Sequence, residues 1–259
     1  MRVCLTIAGS DSIAGAGIQA DLKTFSALGV HGTSVVTAVT AQNTRGVQKV
    51  HNLPPDVVEA QLNSVLSDVR VDSAKVGMVS GRPTVELVAR ALRKHGTPNL
   101  VIDPVMVAKG GTVLLEDDGR ESLKADLLPI GTIVTPNLYE ASWLSGADVT
   151  DVETMKRAAQ VIHRTGVGWV LVKGGHLESS VVDVLYDGET VQILKGNGNG
   201  WSGVHGTGCI LSAAIAAGLA KGLDVRESVE QARSYLAAAV ASAAAIGEGW
   251  RVAPQCSPT

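Results

Sequence analysis

The pentapeptide His205-Gly206-Thr207-Gly208-Cys209 is the segment best suited to chemistry, because it directly precedes the helix-forming stretch ILSAAIAAGLA. Two glycines where a helix begins let backbone N–H groups converge on an anion, and the helix dipole adds partial positive charge there. The segment is not a Walker A loop, since no Gly-Lys-Ser/Thr follows. It predicts an anion-binding helix N-terminus. The alternative is a glycine-rich turn that only starts the helix.

Cys209, the last residue of this pentapeptide, has two interpretations. At a helix N-terminus the pKa of a thiol is expected to fall. A thiolate at this point could accept the proton of an attacking hydroxyl group. The alternative is that Cys209 is a small buried hydrophobic side chain.

The segment Asn137-Leu-Tyr-Glu140 follows Pro136 and opens a predicted helix. It has the spacing of a capping box, in which Asn137 is the N-cap and the Glu140 side chain returns a hydrogen bond. The other interpretation places Glu140 near a magnesium ion that keeps its water ligands at a phosphate site, which suits a hard cation. Both interpretations remain open at this point.

Polar side chains also follow other predicted strands, where the ligands of open α/β sheets bind. Asp103, Lys109 and Lys173 come after buried apolar runs, although a lone charge at a strand end is usually only solvated. Gln42 and Asn43 follow a strand rich in β-branched residues and could contact the edge of a ligand ring. The alternative for this pair is a simple turn.

The elements that must position these residues alternate between short apolar runs and amphipathic stretches. Strands are predicted at 2–8, 33–41, 73–79, 99–105, 133–135 and 169–173. Helices are predicted at 18–28, 55–69, 82–95, 137–144, 151–165, 206–221 and 225–246. The dipeptide Asp187-Gly188 predicts a hairpin of strands 181–186 and 190–195, and 196–200 is a glycine-rich loop. This order predicts one α/β domain over residues 1–259, with a mostly parallel sheet between helical layers.

Charge, glycine spacing and cysteine content argue against several classes of protein. The formal net charge is −3, which provides no basic field for nucleic acid. The glycine-containing segment 9–17 has the wrong glycine spacing for a dinucleotide fingerprint, but it could close over a small substrate. Cys4, Cys209 and Cys256 are an odd number at no metal-like spacing, and free thiols with no signal peptide or membrane-span pattern predict a cytoplasmic protein.

Seven blocks in this order resemble the hydroxymethylpyrimidine / hydroxymethylpyrimidine-phosphate kinases of the ribokinase superfamily. The blocks are AGSDSIAGAGIQADLKTFSALG, TAVTAQNTRGVQ, KVGMVS, VIDPVMVAKGG, TPNLYEA, LVKGGHLE and HGTGCILSAAIAAGLAKG. The resemblance implies a ribokinase-like three-layer αβα sandwich, ATP and Mg²⁺ as cofactors, a small-molecule pyrimidine substrate and a homodimer. The sequence differs from the family's motifs at residues 12–14, 109–112 and 203–204, and in the tail beyond Ile246.

The resemblance also implies roles for individual residues. The catalytic loop is implied to be Gly206, Thr207, Gly208 and Cys209. Substrate contacts are implied for Gly9, Asp21, Gln42, Met78 and Val105. Nucleotide contacts are implied for Lys109, Asn137, Lys173, Gly175 and His205. Magnesium is implied at Glu140, through water, and at Asp103.

The expected activity is ATP-dependent phosphorylation of 4-amino-5-hydroxymethyl-2-methylpyrimidine and of its monophosphate, in thiamine biosynthesis. A pyridoxal or pyridoxine kinase is the nearest enzymatic alternative, because that ring also carries a hydroxymethyl group. An alternative from another class is a catalytically silent ligand-binding relative.

Overall fold

The computed structural model describes residues 1–175, 182–196 and 203–255, which form a nine-stranded sheet covered by helices on both faces. The strands of this sheet are β1 (Val3–Asp11), β2 (His31–Asn43), β3 (Gly46–Asn52), β4 (Ser73–Val76), β5 (Leu100–Ile102), β6 (Ile133–Val134), β7 (Trp169–Val172), β8 (Val182–Tyr186) and β9 (Val191–Lys195). A small second sheet consists of β10 (Val204–His205) and β11 (Arg251–Val252). The helices are α1 (Gly17–Ala27), α2 (Pro55–Leu66), α3 (Arg82–Lys94), α4 (Asp117–Ser122), α5 (Leu138–Ser145), α6 (Val152–His163), α7 (Thr207–Ala220) and α8 (Val225–Ala241).

The strand order is β3-β2-β1-β4-β5-β6-β7-β8-β9. Strands β2, β1, β4, β5, β6 and β7 are parallel, whereas β3, β8 and β9 pair antiparallel with their neighbours. The chain moves from β1 to β2 on one side and later returns to β4 on the other side of β1. In such sheets a crevice opens outside the carboxyl ends of the strands where the direction reverses. The fold therefore places a ligand site at the ends of β1 and β4.

Two hydrophobic cores lie on the two faces of the sheet. Successive strand residues alternate between them: Leu100 and Ile102 pack in one core, and Val101 packs in the other. Helices α2, α3, α5 and α6 cover the first face, and α1, α7 and α8 cover the second. Both faces are buried, which explains why the parallel strands are continuous apolar runs and do not alternate with polar residues.

Helix α7 lies inside the molecule, because every residue from Ile210 to Ala220 is buried. A helix that is apolar all round its surface is suited to such a position. At Gly218 an added Cβ would lie 2.7 Å from the Ser228 hydroxyl oxygen, so a small residue lets α8 approach closely. The packing fixes α7 firmly and thereby positions its N-terminus.

The α/β class and the mostly parallel sheet predicted from the sequence are confirmed. Strand β3, helix α4 and strand β11 were not predicted, and α8 ends at Ala241, before the predicted end at residue 246. Cys256, part of the predicted loop (197–200) and the first residue of the predicted hairpin lie outside the described residues. Among the helices of the described ranges, none is long and apolar enough to cross a membrane.

Candidate active site

A cavity lies beyond the carboxyl ends of β1 and β4, where the sheet topology places a crevice. We call it the Gln42 cavity. It gathers most of the side chains that the sequence singled out. They are Gly9, Gln42, Met78, Asp103, Val105, Lys109, Asn137, Glu140, Lys173, His205, Gly206, Thr207, Gly208 and Cys209.

A second cavity adjoins the first, and we call it the Arg233 cavity. Gly175, Asp183 and Arg233 line it. Four residues line both cavities and form the boundary between them. These residues are Asn137, Lys173, Thr207 and Gly208. A ligand in one cavity can therefore meet a ligand in the other at the N-terminus of α7.

The N-terminus of α7 has the geometry of an anion-binding loop. Gly206 is the N-cap, with a left-handed φ of 76°, and an added Cβ would overlap the carbonyl oxygen of Gly15. Only glycine fits this position without moving the backbone. The first N–H groups of a helix have no partner within the helix, so those of Thr207, Gly208 and Cys209 are available where the two cavities meet. This arrangement suits a phosphate group.

Cys209 is half-buried, lines the Gln42 cavity and has the Gly17 N–H directed at its sulfur. Desolvation raises the pKa of the thiol to about 11, although the Lys75 ammonium and the Gly17 N–H act in the opposite direction. The predicted lowering of the Cys209 pKa is therefore wrong, because burial outweighs the helix N-terminus. Because Cys209 faces a cavity, it is also not simply a buried hydrophobic side chain of the core.

Asp21 does not line the cavity, and the prediction that it contacts a substrate is corrected. Its carboxylate is completely buried and lies 2.8 and 3.0 Å from the Lys75 Nζ, while the Thr6 hydroxyl donates to it at 2.6 Å. Burial lowers the pKa of the Lys75 ammonium, but Asp21, together with Cys209 and Asp103, outweighs burial and raises it. Asp21 thus holds Lys75 beside the cavity, on the side where Cys209 lies.

Asp103 and Lys173 form an ion pair at the boundary of the two cavities. The Lys173 Nζ lies 3.0 Å from Asp103 Oδ1, and the Ser212 hydroxyl donates to Asp103 Oδ2 at 3.3 Å. Burial would raise the pKa of Asp103, but Lys173, Lys75 and the Ser212 hydrogen bond together outweigh burial and lower that pKa. The pair is therefore charged, and it places an ammonium group directly beside the α7 N-terminus.

Glu140 caps helix α5 and also lines the Gln42 cavity, and its magnesium role stays a prediction. Its Oε2 accepts the Asn137 N–H at 2.8 Å, and Asn137 Oδ1 accepts the Glu140 N–H at 2.9 Å, so the capping box is confirmed. Glu140 is 3% exposed as a residue and lines the Gln42 cavity. Burial raises its pKa to about 7, with Lys173 opposing and Asp103 adding to the rise. The charge of Lys173 therefore offsets only part of the cost of burying the Glu140 carboxylate beside the N-terminus of α7.

His205 and Lys109 line the Gln42 cavity and do not line the Arg233 cavity, and their nucleotide contacts stay a prediction. His205 Nε2 lies 2.9 Å from Asp11 Oδ2 and 3.0 Å from Gln42 Nε2. Lys109 donates to the Val204 carbonyl at 2.8 Å, and desolvation lowers its pKa. Gln42 is the penultimate residue of β2 and lines the cavity, while Asn43 forms the predicted turn by accepting the Arg45 and Gly46 N–H groups.

Sequence reasoning did not assign a role to Asp11, Lys75 or Trp250. Lys75 had a detectable signal, because a lone charge within the apolar strand SAKV needs a buried partner. Trp250 lies in the tail beyond Ile246, where the sequence differs from the motifs of the family. The tail returns as β11 beside β10, and the Trp250 ring stacks on His205 with centroids 6.1 Å apart.

Comparisons with known proteins agree with this geometry. A hydroxymethylpyrimidine/phosphomethylpyrimidine kinase of Rhizobium meliloti is 51% identical over 251 residues, which are 95% of this chain and 94% of that protein. The ADP complex of Bacillus subtilis pyridoxal kinase superposes with a TM-score of 0.93 at 39% identity, covering 98% of this chain and 97% of the other. The phosphomethylpyrimidine kinase of Clostridium difficile 630 gives a TM-score of 0.83 at 40% identity, covering 93% and 100%.

The family model described as phosphomethylpyrimidine kinase matches residues 11–253, nearly the whole chain. The match extends to Val252 and Ala253 and so includes part of the tail after Ile246, where the motifs differ from the family. The prediction of a phosphotransferase, based on the seven sequence blocks, is confirmed. The chain belongs to the phosphomethylpyrimidine kinase family.

Proposed function

We propose that this chain transfers the γ-phosphoryl group of ATP to the hydroxymethyl group of 4-amino-5-hydroxymethyl-2-methylpyrimidine, and then a second one to the resulting monophosphate. One observation carries this proposal: the N-terminus of α7 lies where two cavities meet, with the Cys209 thiol on one side of it. The names of the relatives support the identity of the substrate and a place in thiamine biosynthesis.

The pyrimidine is assigned to the Gln42 cavity and ATP to the Arg233 cavity. The Gln42 cavity combines apolar surfaces with an amide, which suits a small ring with polar edges. Lys173 and the Thr207 and Gly208 N–H groups lie between the cavities. The γ-phosphoryl group then lies between its donor and the hydroxymethyl oxygen. Donor and acceptor on opposite sides of the phosphoryl group are what in-line transfer requires.

Phosphoryl transfer depends on positioning and on neutralising charge more than on covalent chemistry. The N–H groups of Gly206 to Cys209 and the Lys173 ammonium stabilise the negative charge that develops on the transferred group. Their positions are set before the reaction by the buried helix α7 and by the Asp103–Lys173 pair at 3.0 Å. These donors therefore require little reorganisation during the step.

The acidic residues of the site fit a magnesium ion. Mg²⁺ is usually bound by one or two carboxylates together with substrate phosphates and water. Asp103 and Glu140 both line the Gln42 cavity, and within the described residues no larger cluster of metal-binding side chains occurs. Because Lys173 neutralises Asp103, we assign the ion mainly to Glu140. When bound, Mg²⁺ supplies positive charge to the ATP phosphates.

Cys209 is proposed to accept the proton of the hydroxymethyl group in the first phosphorylation. Only the thiolate can do so, and a thiol with a pKa of about 11 is mostly protonated at neutral pH. The thiolate that does form is a correspondingly strong base. In the second phosphorylation the nucleophile is a phosphate that is already anionic, so it needs no base.

Glu140→Gln should separate the metal-binding role from the capping role. The glutamine oxygen can still accept the Asn137 N–H, but the charge is lost. We expect the Mg²⁺ concentration for half-maximal activity to rise by about 10–100-fold, with a melting temperature close to that of the parent. A magnesium titration of activity, together with thermal unfolding, measures both.

The matched control is Glu227→Gln, in the capping box of α8. Glu227 Oε2 accepts the Asp224 N–H at 3.1 Å but lies outside both cavities. This variant should keep the parental magnesium requirement. If the two variants have the same requirement, Glu140 only caps α5.

A coupled assay of ADP release with hydroxymethylpyrimidine and with pyridoxal, side by side, tests the proposed function. The pyridoxal kinases among the structural neighbours make pyridoxal the appropriate competitor. We expect a higher kcat/KM for the pyrimidine. A preference for pyridoxal, or no ADP release with either, would contradict the proposal. The homodimer and the cytoplasmic location stay predictions, and sedimentation analysis would test the first.

A further inference from the structure

The His205 ring is held on three sides beside the Gln42 cavity. Its Nε2 lies 2.9 Å from Asp11 Oδ2 and 3.0 Å from Gln42 Nε2, and the Trp250 ring stacks on it at an interplanar angle of 20°. The His205 side chain is only 8% exposed. Its orientation is therefore fixed by its neighbours.

The contacts of Asp11 determine which proton His205 carries. Asp11 accepts the backbone N–H groups of Ile13, Gly15 and Ala16 at 3.1, 3.0 and 2.8 Å. Burial would raise the pKa of Asp11, but the bonds from His205 and the backbone outweigh it and lower that pKa. An ionised carboxylate only accepts hydrogen bonds. His205 Nε2 must therefore carry a proton and donate it to Asp11.

This tautomer in turn determines the orientation of the Gln42 amide. The amide nitrogen and the His205 Nε2–H are both donors and cannot bond to each other at 3.0 Å. Amide oxygen and nitrogen have the same shape, so the hydrogen-bond network decides between them. With the amide turned by 180°, its oxygen shares the His205 proton with Asp11, in the manner of a three-centre bond.

Thr40 agrees with the turned orientation. Its hydroxyl donates to the Ser10 carbonyl at 3.0 Å and therefore offers a lone pair to its other neighbour, the end of the Gln42 amide at 3.3 Å. In the turned orientation that end is the NH₂ group. One N–H of Gln42 then bonds to Thr40, the oxygen bonds to His205, and the second N–H is left for a ligand in the cavity.

We propose that His205 is a positioning residue that fixes the Gln42 amide as a hydrogen-bond donor towards the substrate ring. The inference rests on the proposed function, which places a pyrimidine in the Gln42 cavity. It restricts Gln42 to the role of a donor, because the amide oxygen is engaged by His205 and is not offered to the ligand. The site then selects a ring edge with an unprotonated nitrogen and rejects an edge with an N–H group at the same place.

The C-terminal tail takes part through Trp250. Strand β11 pairs with β10, so that Val252 lies beside His205, and the Trp250 N–H donates to the Thr44 carbonyl at 2.8 Å. The Lys109 ammonium lies 5.8 Å from the centre of the Trp250 ring, on its face. The tail thus packs against one face of the His205 ring. Stacking of Trp250 on this ring keeps His205 Nε2 directed at Asp11.

The test compares two substrates in each variant. One is 4-amino-5-hydroxymethyl-2-methylpyrimidine, and the other is the matching pyrimidin-4-one, in which the ring nitrogen carries a hydrogen. The ratio of their kcat/KM values is measured, because losses in phosphoryl transfer common to both substrates cancel. The parent should favour the aminopyrimidine. His205→Leu frees the amide to rotate, and the ratio should fall about tenfold, the change that corresponds to about one hydrogen bond.

A double-variant cycle shows whether His205 acts through Gln42. Gln42→Leu should lower the ratio to a similar extent, and adding His205→Leu to that variant should lower it no further. For the tail, Trp250→Ala should lower the ratio, whereas Trp250→Phe keeps a stacking ring and should restore it. The Trp250 pair also keeps the inference testable if His205→Leu does not fold.

The outcomes are distinct. A ratio equal to that of the parent in His205→Leu overturns the inference. Where His205→Leu does not fold, the same result in Trp250→Ala overturns it. Additive losses in the double variant also overturn it. In each case the proposed function stands if the parent phosphorylates the aminopyrimidine. If the parent phosphorylates neither substrate, the proposed function is wrong and the inference is overturned with it.

Discussion

Cys209→Ala is expected to slow the first phosphorylation by about 10²–10⁴-fold, the usual contribution of a positioned base. The second phosphorylation should lose much less, because its nucleophile is already deprotonated. The backbone N–H groups of the α7 N-terminus survive the substitution, so activity above background should remain. Measuring both steps in the same variant, by following ADP release from hydroxymethylpyrimidine and from its monophosphate, gives the two losses.

The raised pKa of Cys209 adds a pH signature to this expectation. The thiolate fraction increases about tenfold per pH unit below the pKa of about 11, so kcat/KM of the first step should rise between pH 7 and 9.5. Cys209→Ala should remove this rise. The control is Cys4→Ala, since Cys4 is fully buried with its sulfur against the Ala216 carbonyl and should affect only stability. Equal small losses in both steps for Cys209→Ala would eliminate its role as a base.

Lys75→Met is expected to lower the free energy of unfolding by about 3–5 kcal/mol, the cost of leaving one buried charge without its partner. Both Lys75 and Asp21 are completely buried and lie 2.8 Å apart. Urea denaturation measures the loss. Replacing both residues, as in Lys75→Met with Asp21→Leu, should recover most of it, because a buried pair replaced by apolar side chains is often nearly neutral.

The matched control is Lys156→Met, which removes the Lys156–Glu153 pair at 2.6 Å on the surface of α6. Glu153 is 72% exposed, so this change should cost less than about 1 kcal/mol. A similar loss for Lys75→Met and Lys156→Met would mean that the buried pair does not stabilise the fold as its geometry implies.

The sheet and its helices were predictable because their signals are local. Apolar runs such as NLVIDPV mark buried parallel strands, and the alternation with amphipathic stretches determines their direction. The capping box at Asn137 and Glu140 was predictable for the same reason. Strand β3 was missed because GVQKVHN is largely polar and exposed, as expected for an edge strand.

The errors in the site concern contacts between residues distant in sequence. The pKa of Cys209 depends on its burial, which the helix N-terminus alone does not reveal. Asp21 was assigned to the substrate, but its partner Lys75 is 54 residues away. The position of His205 depends on Asp11 and on Trp250 in the tail, and no local pattern near residue 205 indicates either contact.

The central claim is that one site phosphorylates a hydroxymethylpyrimidine twice, and the amount of ADP released per pyrimidine tests it most directly. With excess ATP and Mg²⁺ and limiting 4-amino-5-hydroxymethyl-2-methylpyrimidine, we expect about two ADP per pyrimidine, with the monophosphate appearing first. The monophosphate supplied alone should yield about one ADP per molecule. Release of a single ADP from the pyrimidine with no further reaction of the monophosphate, or no release at all, would contradict the claim.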